Sequence, residues 1–145
     1  MPDTPAILLV QSDEGQRAKL AAGLRLDGMR VVEYATAEAA LVALNRGLKA
    51  AMLVTEPAVG RLTELELTEL ARDAAPRLEV IFTRSPEANR LAAPAGAHAL
   101  VKPIEAGRLS RFIRLVAARP ALRSVLQRRY RQSKSCVLAA RTRAS

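Results

Sequence analysis

The stretch AMLVTEPAVG, residues 51–60, passes from pure hydrophobe into Thr55-Glu56-Pro57 within a single step. A short apolar run ended by a turn signal reads as a buried strand rather than a helix, because it is too brief for helical turns. The carboxylate of Glu56 therefore stands where a buried strand should emerge from the core. What it does there depends on what stands at the same level of the neighbouring strands.

Four further runs of the same kind flank it: AILLV (6–10), RVVEYA (30–35), LEVIFT (78–83) and AHALV (97–101), with AAMLV (50–54) the third in order. Between them lie DEGQRAKLAAGLRLDG, AEAALVALNRG, LTELELTELARDAAP and SPEANRLAAPAG. After the last run, IEAGRLSRFIRLVAARP repeats Leu109, Phe112, Ile113 and Val116 at helical spacing. Gly28, Gly47 and Pro76 sit where helices should stop. The fourth intervening segment is short and interrupted by Pro94, so its helix is expected to be weak. Strands alternating with helices predict βαβ units, and hence an α/β fold: a doubly wound, five-stranded parallel sheet covered on both faces. The first and third runs are almost wholly apolar, as central strands buried on both faces are.

A chain of 145 residues, half of them hydrophobic, suits one core. Aromatics make up only 3% and Trp is absent, so the interior has to be Leu, Val, Ile and Ala. No apolar run approaches the roughly 18 residues needed to span a bilayer, and no signal-peptide pattern is seen at the N-terminus. No membrane association is expected. The lone Cys136 has no internal disulfide partner, which suits a reducing cytoplasmic setting. His98 and Cys136 are too few to suggest zinc. The net charge of +9 is unevenly spread: residues 1–105 carry 12 basic and 14 acidic side chains, whereas 106–145 carry 11 basic and none acidic.

The polar residues cluster by position. Gln11, Ser12 and Asp13 follow the first run, Glu56 the third, Thr83 ends the fourth, and Lys102-Pro103 follows the fifth. In open α/β sheets the carboxyl edge is where ligands and chemistry sit, at the point where the strand order reverses. In the order 2-1-3-4-5 the first and third strands are neighbours there, and Asp13, Glu56, Thr83 and Lys102 are expected to converge on one small pocket.

Over residues 5 to 118 the chain resembles the receiver domain of two-component response regulators, a flavodoxin-like fold. The resemblance rests on ILLVQSDEGQR, the strand ending in VTEP, GRLTELELTEL, VIFTRS and AGAHALVKP, of which the Lys-Pro after the fifth strand is the most specific. It implies an acidic pair holding Mg²⁺ after the first strand, an aspartate accepting phosphate after the third, and a hydroxyl and a lysine that read the phosphoryl group. Thr83 and Lys102, with Pro103, match the readout positions. The acidic pair matches Gln11 and Ser12, both neutral, with Asp13 one place late. The acceptor position matches Glu56, and a one-place slip would put Thr55 there. The aromatic switch position offers only Ala99 or His98. Arg84, where the family has a small residue, is expected to cover the pocket, to pair with Glu56 or Asp13, or to be a plain surface arginine.

Mg²⁺ prefers octahedral oxygen ligands with one or two carboxylates, so Gln11 and Ser12 should leave its binding lost or weak. Glu56 is a methylene longer than aspartate, which takes an attacking oxygen out of line and brings the carboxylate toward Lys102. At ~4 Å and an effective dielectric near ~20 such a pair gains roughly 4 kcal/mol gross, much of it returned by desolvation. Glu56 then either imitates a phosphorylated state in part or simply stabilises a decayed pocket.

The expected organisation is a receiver-like domain over 1–119 and a basic C-terminal tail over 120–145, a short helix or disordered. The expected function is that of an atypical receiver of a two-component or phosphorelay system. It would be no enzyme, and would act through contact with a histidine kinase or other signalling protein on the surface of the fourth helix, fifth strand and last helix. A homodimer is left open. One alternative is a phosphorylatable regulator using Asp13 or Glu56 unconventionally. Another is a nucleic-acid-binding or scaffold protein using 121–145, whose basic residues would meet an anionic surface without aromatic base stacking, Tyr130 standing alone.

Overall fold

The computed structural model describes residues 5–57, 62–90 and 92–118. The chain divides into two compact units, Met1–Ile113 and Arg114–Ser145. Of the second, residues 114–118 are described and are helical, while the basic stretch 120–145 lies outside the described residues. In chain order the elements are β1 (Ala6–Val10), α1 (Glu14–Leu26), β2 (Val31–Tyr34), α2 (Ala37–Asn45), β3 (Ala50–Thr55), α3 (Glu64–Ala74), β4 (Glu79–Arg84), a 3₁₀ turn (Glu87–Arg90) and β5 (Ala97–Val101). A last helix, α4, covers 106–118.

The five strands form one parallel sheet in the order β2-β1-β3-β4-β5. Alternation sorts their side chains. Leu8, Val10, Leu53, Val80 and Phe82 join Leu41 and Leu44 of α2 and Leu67 and Ala71 of α3 in one buried cluster. Residues one step away, such as Ile7, Leu9, Met52, Val54 and Ile81, are also buried and by the two-residue period face the opposite layer. That layer holds α1, whose inward residues are Leu20, Ala21 and Leu24, and the first turns of α4, which bury Leu109 and Ile113. α1 and α4 touch at Gly23, where an added Cβ would run into the Ala106 side chain.

Caps fix the helix ends. Thr36 caps α2 by accepting from the Ala39 N–H, and Thr63 with Glu66 forms a reciprocal capping box on α3. Gly28 and Gly47, at φ 84° and 95°, turn the chain out of α1 and α2 in a conformation that other residues rarely adopt. The weak fourth helix reduces to the 3₁₀ turn. Pro86 and Pro94 bracket a segment too short to repay helix nucleation, and its chain reversal closes instead through the Ala88 N–H on the Ser85 carbonyl and the Ala97 N–H on that of Pro94.

A Gly to Ala change inside a helix normally stabilises by about 1 kcal/mol. At Gly23 the sign should reverse: Gly23→Ala should lower the urea midpoint of unfolding, because overpacking against Ala106 outweighs the propensity gain.

Candidate functional site

The register of the sheet sets the site. Val10 pairs with Thr55, Thr55 with Phe82, and Thr83 with Leu100. The next step along each strand therefore places Gln11, Glu56 and Thr83 in one cross-strand row at the carboxyl edge. By alternation these three, and Lys102 beyond Leu100, lie on the α1–α4 side of the sheet. Thr55 is the last residue of β3, fully buried, and its hydroxyl donates to the Glu56 carbonyl at 3.1 Å. Position 56 is thus the first to leave the sheet.

Each oxygen of the Glu56 carboxylate has its own neighbour. The Ser12 hydroxyl donates to Oε2 at 3.0 Å, and the Lys102 ammonium lies 3.9 Å from Oε1. The Glu56 side chain is 13% exposed and that of Lys102 35%, so water screens the pair and its net worth is at most ~1 kcal/mol. The Lys102–Pro103 peptide is cis. Gln11 is completely buried and reaches across the end of β3, its amide nitrogen donating to the Thr83 hydroxyl at 3.1 Å. Thr83 in turn approaches the Thr55 carbonyl at 3.5 Å. The Gln11 carbonyl oxygen Oε1 is buried without a protein hydrogen-bond partner. Beside Ser12 and Glu56, on the α2 side, opens a depression of about 100 Å³ lined also by Val10, Ala35, Thr36 and Thr55. It has room for waters or a small ion, not for an organic ligand.

Two sequence expectations need correction. Asp13 does not join the pocket: it is the N-cap of α1, accepting from the Gln16 N–H at 2.9 Å. A carboxylate one residue before a helix start satisfies the orphan N–H groups there and is held outside the row. Arg84 neither covers the pocket nor sits on the surface. It is one residue past Thr83 and so projects to the other face, where it is buried and bonded to Glu64 at the start of α3, its Nε donating at 2.9 Å. His98, on β5, has partners of its own. His98 lies 3.1 Å from Glu79 and edge-on to Phe112, with ring centroids 6.4 Å apart. Three contacts were not anticipated: Gln11 to Thr83, Ser12 to Glu56, and Arg84 to Glu64. A glutamine directly after a doubly buried strand was the available signal for the first.

No protein-family model matches the sequence, and no curated protein is significantly similar to it. Solved structures do superpose well. A response regulator receiver domain protein from Clostridium thermocellum aligns at a TM-score of 0.68 and 19% identity, over 82% of this chain and 98% of that one. A CheY-like receiver domain protein from Methanospirillum hungatei JF-1 gives 0.69 and 21%, over 81% and 96%. The receiver domain of the hybrid histidine kinase CckA gives 0.64 and 24%, over 77% and 98%. The chain has the receiver fold.

The receiver fold implies a divalent cation at this edge, so the donor set is the test. Glu56 is the one carboxylate in the row, and Ser12 and Lys102 both address it. The Gln11 amide is turned to Thr83, and Asp13 is used as a cap. With Ser12 and Lys102 at the two oxygens of Glu56, and Gln11 and Asp13 bonded elsewhere, the described donors do not present the near-octahedral oxygen set that Mg²⁺ needs.

Asp13→Ala should cost about 1 kcal/mol in denaturant unfolding, the value of an N-cap. Its crystal structure should leave the Ser12–Glu56 and Gln11–Thr83 bonds in place, since Asp13 is bonded to neither.

Proposed function

We propose that this chain is an atypical receiver of a two-component or phosphorelay system, one that acts through protein contact rather than by accepting phosphate. The observation that carries this reading is the Glu56 carboxylate, engaged at one oxygen by Ser12 and faced at the other by Lys102. An acceptor must present a free oxygen in line with the donor, and the charge developing on the transferred group must be stabilised as it moves. Here the attacking oxygens are engaged and the cation site lacks its ligands. The Lys102 charge, which would serve a phosphoryl group, already has a counter-charge. The module is therefore no enzyme, and it holds one state.

Its partner is a histidine kinase or another signalling protein, in the cytoplasm. The likeness to the receiver of a hybrid histidine kinase supports a kinase as one such partner. The contact surface in this reading is built from the 3₁₀ turn in the place of the fourth helix, β5 and α4. Among the described residues no helix is long and apolar enough to cross a membrane.

The deciding measurement is intact mass after incubation with acetyl phosphate and Mg²⁺, beside a receiver that is known to take phosphate. No added phosphoryl mass is expected on the wild type or on Glu56→Ala. An adduct mapped to Glu56 or Asp13 would establish the alternative, a regulator with an unconventional acceptor.

The charge segregation favours a second reading, in which the receiver fold carries a basic segment onto nucleic acid. Residues 106–145 have 11 basic side chains and no acid, and Arg111 is exposed on α4. If about five of them met phosphates, log K would fall against log salt with a slope near about −4 to −5, and the binding would be sequence-independent. Duplex DNA retention with that slope, abolished by deleting 121–145, is the outcome this reading requires.

A further inference from the structure

Thr83 and Arg84 are consecutive residues at the carboxyl end of β4, and each is tied to a different layer of the molecule. Thr83 faces the α1–α4 side, where the buried Gln11 amide, reaching over from β1, donates to its hydroxyl at 3.1 Å. Arg84 faces the α2–α3 side, where its guanidinium engages both oxygens of Glu64. Gln11 is 0% exposed and Arg84 2%. Neither tie is a surface contact that water would replace at little cost.

We infer that Gln11 and Glu64 form a two-sided latch that fixes the carboxyl end of β4 and commits the Thr83 hydroxyl inward, so that this strand end does not move as a signalling element. The chemistry of each half supports this. A threonine hydroxyl has one proton and two lone pairs. Accepting from Gln11 and directing its proton at the Thr55 carbonyl leaves Thr83 turned toward β1 and β3. Gln11 leaves its own Oε1 without a protein partner. A buried amide that tolerates one unmet bond in order to make the other is held in place by packing, not by adjusting to its surroundings. On the far side, Arg84 cannot move without giving up its two charge-assisted bonds to Glu64. Glu64 is itself fixed, being the first residue of α3 directly after the Thr63 capping box. Movement of β4's end would therefore have to break a buried cross-sheet hydrogen bond and a part-buried ion pair together. The latch stands whether or not position 56 accepts phosphate, so its failure and that of the proposed function are separately visible.

The test is amide hydrogen exchange on the full chain, comparing the segment 79–88 with the interiors of β1 and β3. Gln11→Leu keeps the buried volume and removes the bond. Thr83→Val removes the hydroxyl from the other side, and Thr83→Ser keeps it. The double variant Glu64→Gln with Arg84→Met cuts the second tie without stranding a buried charge. Exchange in 79–88 is expected to quicken by about tenfold or more in Gln11→Leu, Thr83→Val and the double variant, with β1 and β3 unchanged and Thr83→Ser still protected. Unchanged exchange in 79–88 across those variants would overturn the latch. So would acceleration of all strands in step, because the residues would then support the whole fold and not the end of β4.

Discussion

Side-chain alternation in a parallel sheet is the constraint from which this site follows. β1, β3 and β4 lie side by side in register, so the first residues past the core, Gln11 and Glu56, fall in one row with Thr83. A one-residue slip in any strand would turn its member of the row to the α2–α3 face. Burial prevents that slip, because shifting β1 would expose Leu8 and Val10 to the wrong layer. The geometry of the site is thus fixed by hydrophobic residues that take no part in it.

The same alternation explains why neighbours in sequence serve different layers. Thr83 bonds to Gln11 at the end of β1 while Arg84 reaches Glu64 at the start of α3, and Ser12 and Asp13 part company as the chain leaves β1, one turning to Glu56 and the other to the first turn of α1. The turn between β1 and α1 is itself braced: Arg17 donates to the Gln11 carbonyl at 2.7 Å while lying 3.8 Å from Glu33 on β2. The ends of β1 and β4, on either side of β3, are thus both braced by side-chain contacts. Lys102, 35% exposed on the edge beyond β5, is less confined than Glu56, at 13%.

Much of this was legible in the sequence, for definite reasons. The strands could be read because five short apolar runs are separated by amphipathic segments with caps and stops, and their order 2-1-3-4-5 is the one the receiver resemblance implies. The positions of Glu56, Thr83 and Lys102 followed from where the runs end. What could not be read was the direction of each polar side chain. Asp13 is a carboxylate among carboxylate-like positions, and only the start of α1 at Glu14 shows it to be a cap. Arg84 could be read as a cover over the pocket, as a partner of Glu56 or Asp13, or as a surface residue, arginines being mostly exposed. Its partner Glu64 lies 20 residues earlier in the chain, in a segment whose own pattern gives no hint of a buried charge. Gln11 could be recognised as neutral, but its reach across β3 to Thr83 depends on a sheet register that a sequence alone does not supply.

Charge accounts for how such an edge stays closed. Gln11, Ser12 and Thr83 are neutral, Glu56 carries one negative charge and Lys102 one positive, so the described row and its lysine sum to nothing. With carboxylates at positions 11 and 12 as well, three acids would face one ammonium, and their mutual repulsion would favour either protonation or a bound cation. Replacing them with an amide and a hydroxyl removes the repulsion and supplies hydrogen-bond donors in its place. One donor goes to Thr83 and the other to Glu56. The amide and the hydroxyl that stand there bond to their neighbours directly. Among the described residues the row is thus balanced in formal charge, the one carboxylate facing the one ammonium.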